Sequence, residues 1–201
     1  MDEKERQQYS RIVGGLAWPG KRSGFALIVG EHFKGHPAYS TPIYRILSEM
    51  EADNIPSLLD QVADAHAFFK AETWLADTEY GAGRRLTREL NEELEKNRKP
   101  EIELVKAPFV SSPTGFVYLF STIKKILDPE HKRLFLGEGS RLSTYLLEPH
   151  SGQIGDIQKG EYPAIEALGY VVAYMENNPF QLVPDSPRDD REYDPLSYFT
   201  K

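Results

Sequence analysis

The pattern of hydrophobic and polar positions predicts a β-hairpin near the start of the chain. Two short apolar runs, Arg11–Trp18 and Gly24–Gly30, are separated by the sequence PGKRS. A Pro-Gly pair between two apolar runs is typical of a turn, so we predict that these strands are antiparallel. A third strand is predicted over Pro42–Ser48, where side chains at alternate positions share a face. Residues 1–10 are charged and polar, and we interpret them as a flexible leader.

Strands and helices alternate after this opening. The pattern predicts a helix capped by Asn54, a strand at Thr73–Ala76, a helix after Gly83, a strand at Ile102–Val105, a helix at Pro113–Leu127, an edge strand at Leu134–Leu136, a short helix at Leu142–Leu147 and a last helix at Tyr162–Met175. Hairpin strands followed by β-α alternation predict an α/β fold with a mixed five-stranded sheet and helices on both faces. Residues 11–178 form this domain, and the Pro- and acid-rich residues 179–201 form a C-terminal tail.

Composition narrows the class of protein. The chain has 201 residues, no cysteine and a net charge of −7. The missing cysteines exclude a disulfide framework, a thiolate metal site and a cysteine nucleophile. We expect a cytoplasmic protein with no membrane partner, because the N-terminus does not resemble a secretory signal and no apolar run reaches the ~18 residues of a membrane helix. The negative charge argues against a nucleic-acid coat protein, but not against an enzyme that acts on nucleic acid through metal ions.

Acidic residues follow the predicted strand Thr73–Ala76. In open α/β sheets, functional sites gather at the carboxyl ends of the strands. Asp77 or Glu79 would be well placed there to hold a hard cation such as Mg²⁺. The alternative is that Asp77 caps the next turn through backbone N–H groups. Arg84 and Arg85 come next, and they either contact a phosphate at a helix N-terminus or simply follow a glycine turn.

A second group of candidate residues lies at the start of the last helix. Glu161 and Glu166 are acidic, and Lys159 precedes them. Glu166 is at the edge of an apolar face, where a carboxylate needs a cation, an arginine or a metal as partner. The alternative is an ordinary exposed glutamate. The histidines show no metal-ligand spacing, and the Gly-x-Ser-x-Gly motif of a serine hydrolase is absent.

Three stretches of the sequence resemble the ribonuclease H-like nuclease superfamily, and within it the C-terminal nuclease domain of phage terminase large subunits. They are GGLAWP with GFALIV at 14–19 and 24–29, LADTEYGAG at 75–83, and AIEALGY at 164–170. The resemblance implies that carboxylates from the first strand, the fourth strand and the last helix bind two Mg²⁺ or Mn²⁺ ions, which hydrolyse phosphodiester bonds of DNA.

The same resemblance implies a role for each candidate residue. Asp77 and Glu166 match the catalytic acids of the fourth strand and the last helix, with Glu79 and Glu161 as alternative metal ligands. The basic residues near the turns would hold phosphate: Arg84, Arg85 and Lys159. A phage or prophage origin and a phage packaging protein as partner are implied by the resemblance alone.

The first-strand acid is the exception, because its position falls at Ala17. Glu31 does not replace it, since an antiparallel hairpin carries the end of the second strand away from the end of the first. Two interpretations follow: a metal-dependent nuclease, or a catalytically decayed domain that binds nucleic acid or a protein partner. A small-molecule enzyme on an unrelated α/β sheet is a third alternative. The ATPase motif of a terminase is also absent, so this chain alone does not translocate DNA.

Overall fold

The computed structural model describes residues 1–19, 22–34, 40–78, 83–96, 102–108, 113–147 and 161–178. Within these ranges the strands are β1 (Arg11–Ala17), β2 (Gly24–Phe33), β3 (Pro42–Ala52), β4 (Thr73–Ala76), β5 (Leu104–Lys106) and β6 (Leu134–Phe135). The helices are α1 (Glu3–Arg6), α2 (Ile55–Phe69), α3 (Gly83–Lys96), α4 (Pro113–Leu127), α5 (Arg141–Leu147) and α6 (Pro163–Asn177). None of these helices is both long and apolar enough to span a membrane.

The strands form one mixed sheet in the order β5-β4-β1-β2-β3-β6. The predicted antiparallel hairpin of β1 and β2 is confirmed, and β2 continues antiparallel into β3. β4 lies parallel to β1, and β5 lies parallel to β4. The five predicted strands gain a sixth, because the edge element β6 pairs in parallel with β3 through Tyr44 and Leu134. A strand of two residues is too short for its hydrophobic pattern to predict which neighbouring strand it pairs with.

Both faces of the sheet are covered, and each carries its own core. Val13 and Ala17 of β1 pack on the face that holds α4, α5 and α6, here called the α6 face. Ile12 and Leu16 pack on the face that holds α2 and α3, here called the α2 face. Since successive side chains of a strand point to opposite faces, a strand covered on both faces is apolar throughout. This explains the continuous apolar run of β1, in which every residue is buried.

Two adjacent glycines let the layers come close together at β1. A Cβ atom on Gly15 would lie 2.3 Å from the backbone oxygen of Ala167 in α6. On the other face, a Cβ atom on Gly14 would lie 2.3 Å from the indole ring of Trp74. Neither position has room for a side chain, so α6 can rest directly on β1. The crossing point at Gly15 fixes which part of α6 lies over which part of the strand.

The first ten residues contact the body of the domain. Asp2 caps α1, and Arg6 forms an ion pair with Glu72 at 2.7 Å. The ring of Tyr9 lies against Gly30, where a Cβ atom would be 2.4 Å from it. The polar sequence of this segment predicts a flexible leader. In the structure, Arg6 and Tyr9 contact residues that are distant in the chain.

Candidate functional site

The carboxyl ends of β1 and β4 meet at one edge of the sheet. The last aligned pair of the two parallel strands is Leu16 and Ala76, so Ala17 and Asp77 are the next residues on each. Ala17 and Leu75 belong to the core of the α6 face, and the alternation of side chains places Asp77 on that face too. Asp77 is 6% exposed. The indole N–H of Trp18 donates to the Asp77 backbone carbonyl at 2.8 Å, which ties the two strand ends together.

Glu166 is held in the first turn of α6. Its backbone N–H donates to the carbonyl of Tyr162 at 3.0 Å, and Glu166 as a whole is only 3% exposed. The next residue, Ala167, makes the close approach to Gly15. At its other end, α6 reaches Arg11, the first residue of β1. The helix therefore runs antiparallel to β1, and its first turn lies toward the end of the strand where Ala17 and Asp77 are.

Tyr170 lies on the same face of α6 as Glu166. Its hydroxyl donates to Oε2 of Glu166 at 3.4 Å. Burial raises the pKa of Tyr170 well above its usual value, and the negative charges of Glu166 and Asp77 raise it further. Glu166 thus contacts a buried phenol toward the sheet end at which Asp77 lies, although the two acids are 89 positions apart in the printed sequence.

The donor atoms of this site suit a hard divalent cation. Mg²⁺ binds through one or two carboxylates and keeps several waters, so Asp77 and Glu166 are of the type that a hydrated Mg²⁺ or Mn²⁺ ion takes as ligands. Among the described residues, no group of three histidine, aspartate or glutamate side chains is arranged to hold a metal. The methyl group of Ala17 provides no ligand beside Asp77. The described site therefore offers two of the three carboxylates that the resemblance implies.

The remaining predicted residues are placed differently. Glu161 is half-buried just before α6. Arg85 is exposed on α3 and forms an ion pair with Glu89 at 3.3 Å. Since the leucines of α3 pack on the α2 face, this pair does not belong to the α6 face, where Asp77 and Glu166 lie. Glu79 and Lys159 lie outside the described residues, as does the side chain of Arg84.

The structure adds residues that the sequence did not single out. The guanidinium of Arg22 lies over the ring of Tyr162, 5.1 Å from its centroid, and Arg22 is exposed. Tyr162 directly precedes α6, about one helical turn before Glu166. An exposed cation therefore stands at the rim of the site. In the sequence, only the spacing of four residues between Glu166 and Tyr170 indicates that the two could interact, because residues four apart lie on the same helix face.

Glu31 lies at the opposite end of β1, as predicted. It is aligned with Arg11, the first residue of the strand, whereas Ala17 is the last. Six residues of β-strand separate these positions by about 20 Å. The guanidinium of Arg11 donates to both carboxylate oxygens of Glu31, at 2.6 and 3.0 Å. Glu31 is thus paired with Arg11 at the far end of the sheet and does not supply the carboxylate that Ala17 lacks.

Comparison with solved structures gives the fold a reference. The structure is similar to the large terminase of a thermophilic bacteriophage with a TM-score of 0.52, at 9% identity over 88% of this chain and 43% of the terminase chain. The predicted ribonuclease H-like fold, a mixed sheet with helices on both faces, is confirmed. At this identity the likeness concerns the fold alone, and the chain spans less than half of the terminase.

Two resolvases resemble the structure less closely by TM-score. The yeast mitochondrial Holliday junction resolvase matches with a TM-score of 0.43 and 12% identity, over 85% of both chains. The fowlpox virus resolvase, solved with its substrate Holliday junction DNA, matches with a TM-score of 0.47 and 10% identity, over 84% of this chain and 99% of that chain. No protein-family model and no curated protein matches the chain.

Proposed function

We propose that this ribonuclease H-like domain is a divalent-metal-dependent nuclease that acts on DNA. The observation that carries the proposal is that two buried acids lie toward the same edge of the sheet, Asp77 at the end of β4 and Glu166 in the first turn of the helix that crosses β1 at Gly15. Carboxylates are suitable ligands for a divalent cation, whose charge offsets theirs. The position also supports the proposal, because the acids lie at the carboxyl edge of the sheet, where α/β enzymes bind substrates.

Each residue of the site has a defined part in this proposal. Asp77, held at the end of β4, and Glu166, held in the first turn of α6, would bind the Mg²⁺ or Mn²⁺ ion. When bound, the ion would supply the positive charge that activates a water and offsets the charge developing on the phosphodiester. Arg22, exposed at the rim, would contact a backbone phosphate. Such a local cation matters because the chain as a whole carries a charge of −7.

A second candidate function is that of a binding module without catalysis, for DNA or for a protein of phage packaging. Ala17 favours it. The residue is buried directly beside Asp77 at the strand end, where a third carboxylate would be shared between two ions. Without that carboxylate, affinity for a second ion would be low.

A plasmid-nicking assay with increasing Mn²⁺ tests the first candidate. The wild-type chain should nick supercoiled DNA only when the metal is present, and Asp77→Ala should reduce the rate at least ~100-fold, the scale on which removing a charge-stabilising group acts. Asp60→Ala on α2 is the matched control, since this exposed acid lies on the other face of the sheet. A wild-type chain that neither cleaves DNA nor binds millimolar Mn²⁺ would rule the nuclease out.

Substitution of Ala17 separates the two candidates. Neighbouring strands are about 5 Å apart, so Ala17→Asp would place a third carboxylate next to Asp77. For a nuclease with an incomplete site, we expect Ala17→Asp to increase the nicking rate about tenfold or more. Ala17→Asn is the matched control, because it has a similar size and no charge. Tight DNA binding by a wild-type chain that does not cleave would instead support the binding module.

A further inference from the structure

We infer that Tyr170 is a positioning residue, whose hydroxyl fixes the orientation of the Glu166 carboxylate toward the divalent ion. This inference rests on the proposed nuclease function and concerns the same site. The hydroxyl donates to Oε2 of Glu166 at 3.4 Å. A hydrogen bond to one carboxylate oxygen restricts rotation of the carboxylate about its last bond, so the other oxygen is directed as well.

The geometry of α6 makes this contact a fixed one. Tyr170 follows Glu166 by four residues, so both side chains lie on the same face of the helix. Tyr170 is only 2% exposed, and its ring is part of the core of the α6 face. Packing of the ring leaves the hydroxyl little freedom to move away from Glu166. The phenol is therefore a rigid donor attached to the same helix as the carboxylate it contacts.

The hydroxyl has no evident use in packing alone. Phenylalanine would fill the same volume, whereas burying a hydroxyl is costly unless it finds a hydrogen-bond partner. The partner described here is a residue of the candidate site. The hydroxyl therefore donates to one of the two proposed metal ligands.

The test compares Tyr170→Phe with Tyr174→Phe in the full chain, by Mn²⁺ titration with electron paramagnetic resonance. Tyr174 lies one turn further along α6 and packs against the same core, which makes it a matched control. Loss of a hydrogen bond to a metal ligand typically lowers metal affinity about 10- to 100-fold, and we expect a loss of about tenfold for Tyr170→Phe. Tyr174→Phe should bind Mn²⁺ like the wild type. Both variants should keep the wild-type urea midpoint.

The nicking assay adds a readout that packing would not change. Tyr170→Phe should need about tenfold more Mn²⁺ for half-maximal cleavage, with the wild-type rate restored within about threefold at saturating metal. Equal Mn²⁺ affinity of Tyr170→Phe and the wild type would overturn this inference and leave the proposed function standing. Equal losses in both tyrosine variants would overturn it too, as an effect on helix packing. A wild-type chain that binds no Mn²⁺ would overturn both.

Discussion

Acidic residues lie near both ends of helix α6, in different surroundings. At its C-terminal end, Glu31 accepts two hydrogen bonds from Arg11, and Glu176 accepts two from Arg133, at 2.7 and 3.1 Å. At its N-terminal end, Glu166 accepts a hydrogen bond from the Tyr170 hydroxyl at 3.4 Å, and Asp77 is buried at the end of β4. The donors described at the first end are arginines, whereas the donor described for Glu166 is a neutral hydroxyl. One helix therefore serves stability at one end and, as we propose, chemistry at the other.

The C-terminal end combines several favourable interactions in a small space. Arg11 also donates to the backbone carbonyls of Met175 and Asn178, at 2.9 and 2.6 Å. These carbonyls belong to the end of α6, where the helix dipole favours a positive charge. A guanidinium with a fixed fork of donors can satisfy a carboxylate and helix carbonyls together. Arg11 thus links β1, β2 and the end of α6.

The difference in donors predicts different consequences of substitution at the two ends. Removing an arginine at the C-terminal end leaves a carboxylate without its charged donor, whereas Glu166→Gln at the N-terminal end retains an acceptor for the Tyr170 hydroxyl.

The largest effect is expected for Arg11→Met. Removing one partner of a buried ion pair leaves the other charge uncompensated, which costs about 3–5 kcal/mol. We expect a decrease of this size in the free energy of unfolding, measured by urea denaturation. Glu166→Gln at the other end should change stability by no more than about 1 kcal/mol, because glutamine keeps the shape of the side chain and an acceptor for the Tyr170 hydroxyl.

A matched control for Arg11 is available on the surface. Arg6→Met breaks the exposed ion pair with Glu72, and such pairs contribute about 0–1 kcal/mol. If Arg11→Met were no more destabilising than Arg6→Met, the stabilising role assigned to the C-terminal end of α6 would be wrong.

An intermediate effect is expected in the pH dependence of stability. Burial raises the pKa of Glu176, but hydrogen bonds from Arg133 and Tyr44 outweigh it and lower the pKa below 4.5. The unfolded chain then binds the proton more readily, so the contribution of Glu176 is complete above pH 4.5 and is lost as the pH falls through the folded pKa. Glu176→Gln should therefore reduce the loss of stability on acidification.

Glu31 at the same end should show the opposite sign. Burial raises its pKa above 4.5 and outweighs the hydrogen bond and charge of Arg11. The folded chain then binds the proton more readily, so this contribution decreases as the pH rises from 4.5 toward the folded pKa. Urea denaturation of Glu31→Gln and Glu176→Gln across this range should give changes in slope of opposite sign. Identical slopes would contradict the assignment.

The smallest effect is expected for the exposed arginines at the two ends of the sheet. Arg22→Ala should weaken DNA binding about three- to tenfold at low salt and reduce the slope of log affinity against log salt by about 1. Arg45 is the matched control, because it is exposed on β3 level with Gly30, near the start of β1. Arg45→Ala should change affinity less than about twofold in a fluorescence anisotropy titration. Equal effects would mean that DNA is not bound preferentially at the site rim.

Much of the fold was determined by local features of the sequence. Asn54 caps α2 through a hydrogen bond from the backbone of Ser57 at 2.9 Å, as its position before an amphipathic run indicates. The strand Thr73–Ala76 and the helix Pro113–Leu127 have the predicted bounds. Caps, turns and side-chain periodicity involve residues a few positions apart, so they can be recognised in the chain itself. The positions of Asp77 at a strand end and of Glu166 in a helix were predictable for the same reason.

Contacts between distant parts of the chain were decided only by the tertiary structure. The sequence did not indicate that the hydroxyl of Tyr170 donates to Glu166, that Arg22 covers Tyr162, or that β6 joins β3. These contacts depend on strand register and on the approach of α6 to Gly15, which long-range packing determines. The sequence by itself therefore determined which acids stand at the ends of which elements. Packing decided that Asp77 and Glu166 lie toward the same edge of the sheet, because the crossing of α6 over β1 at Gly15 places the first turn of the helix there.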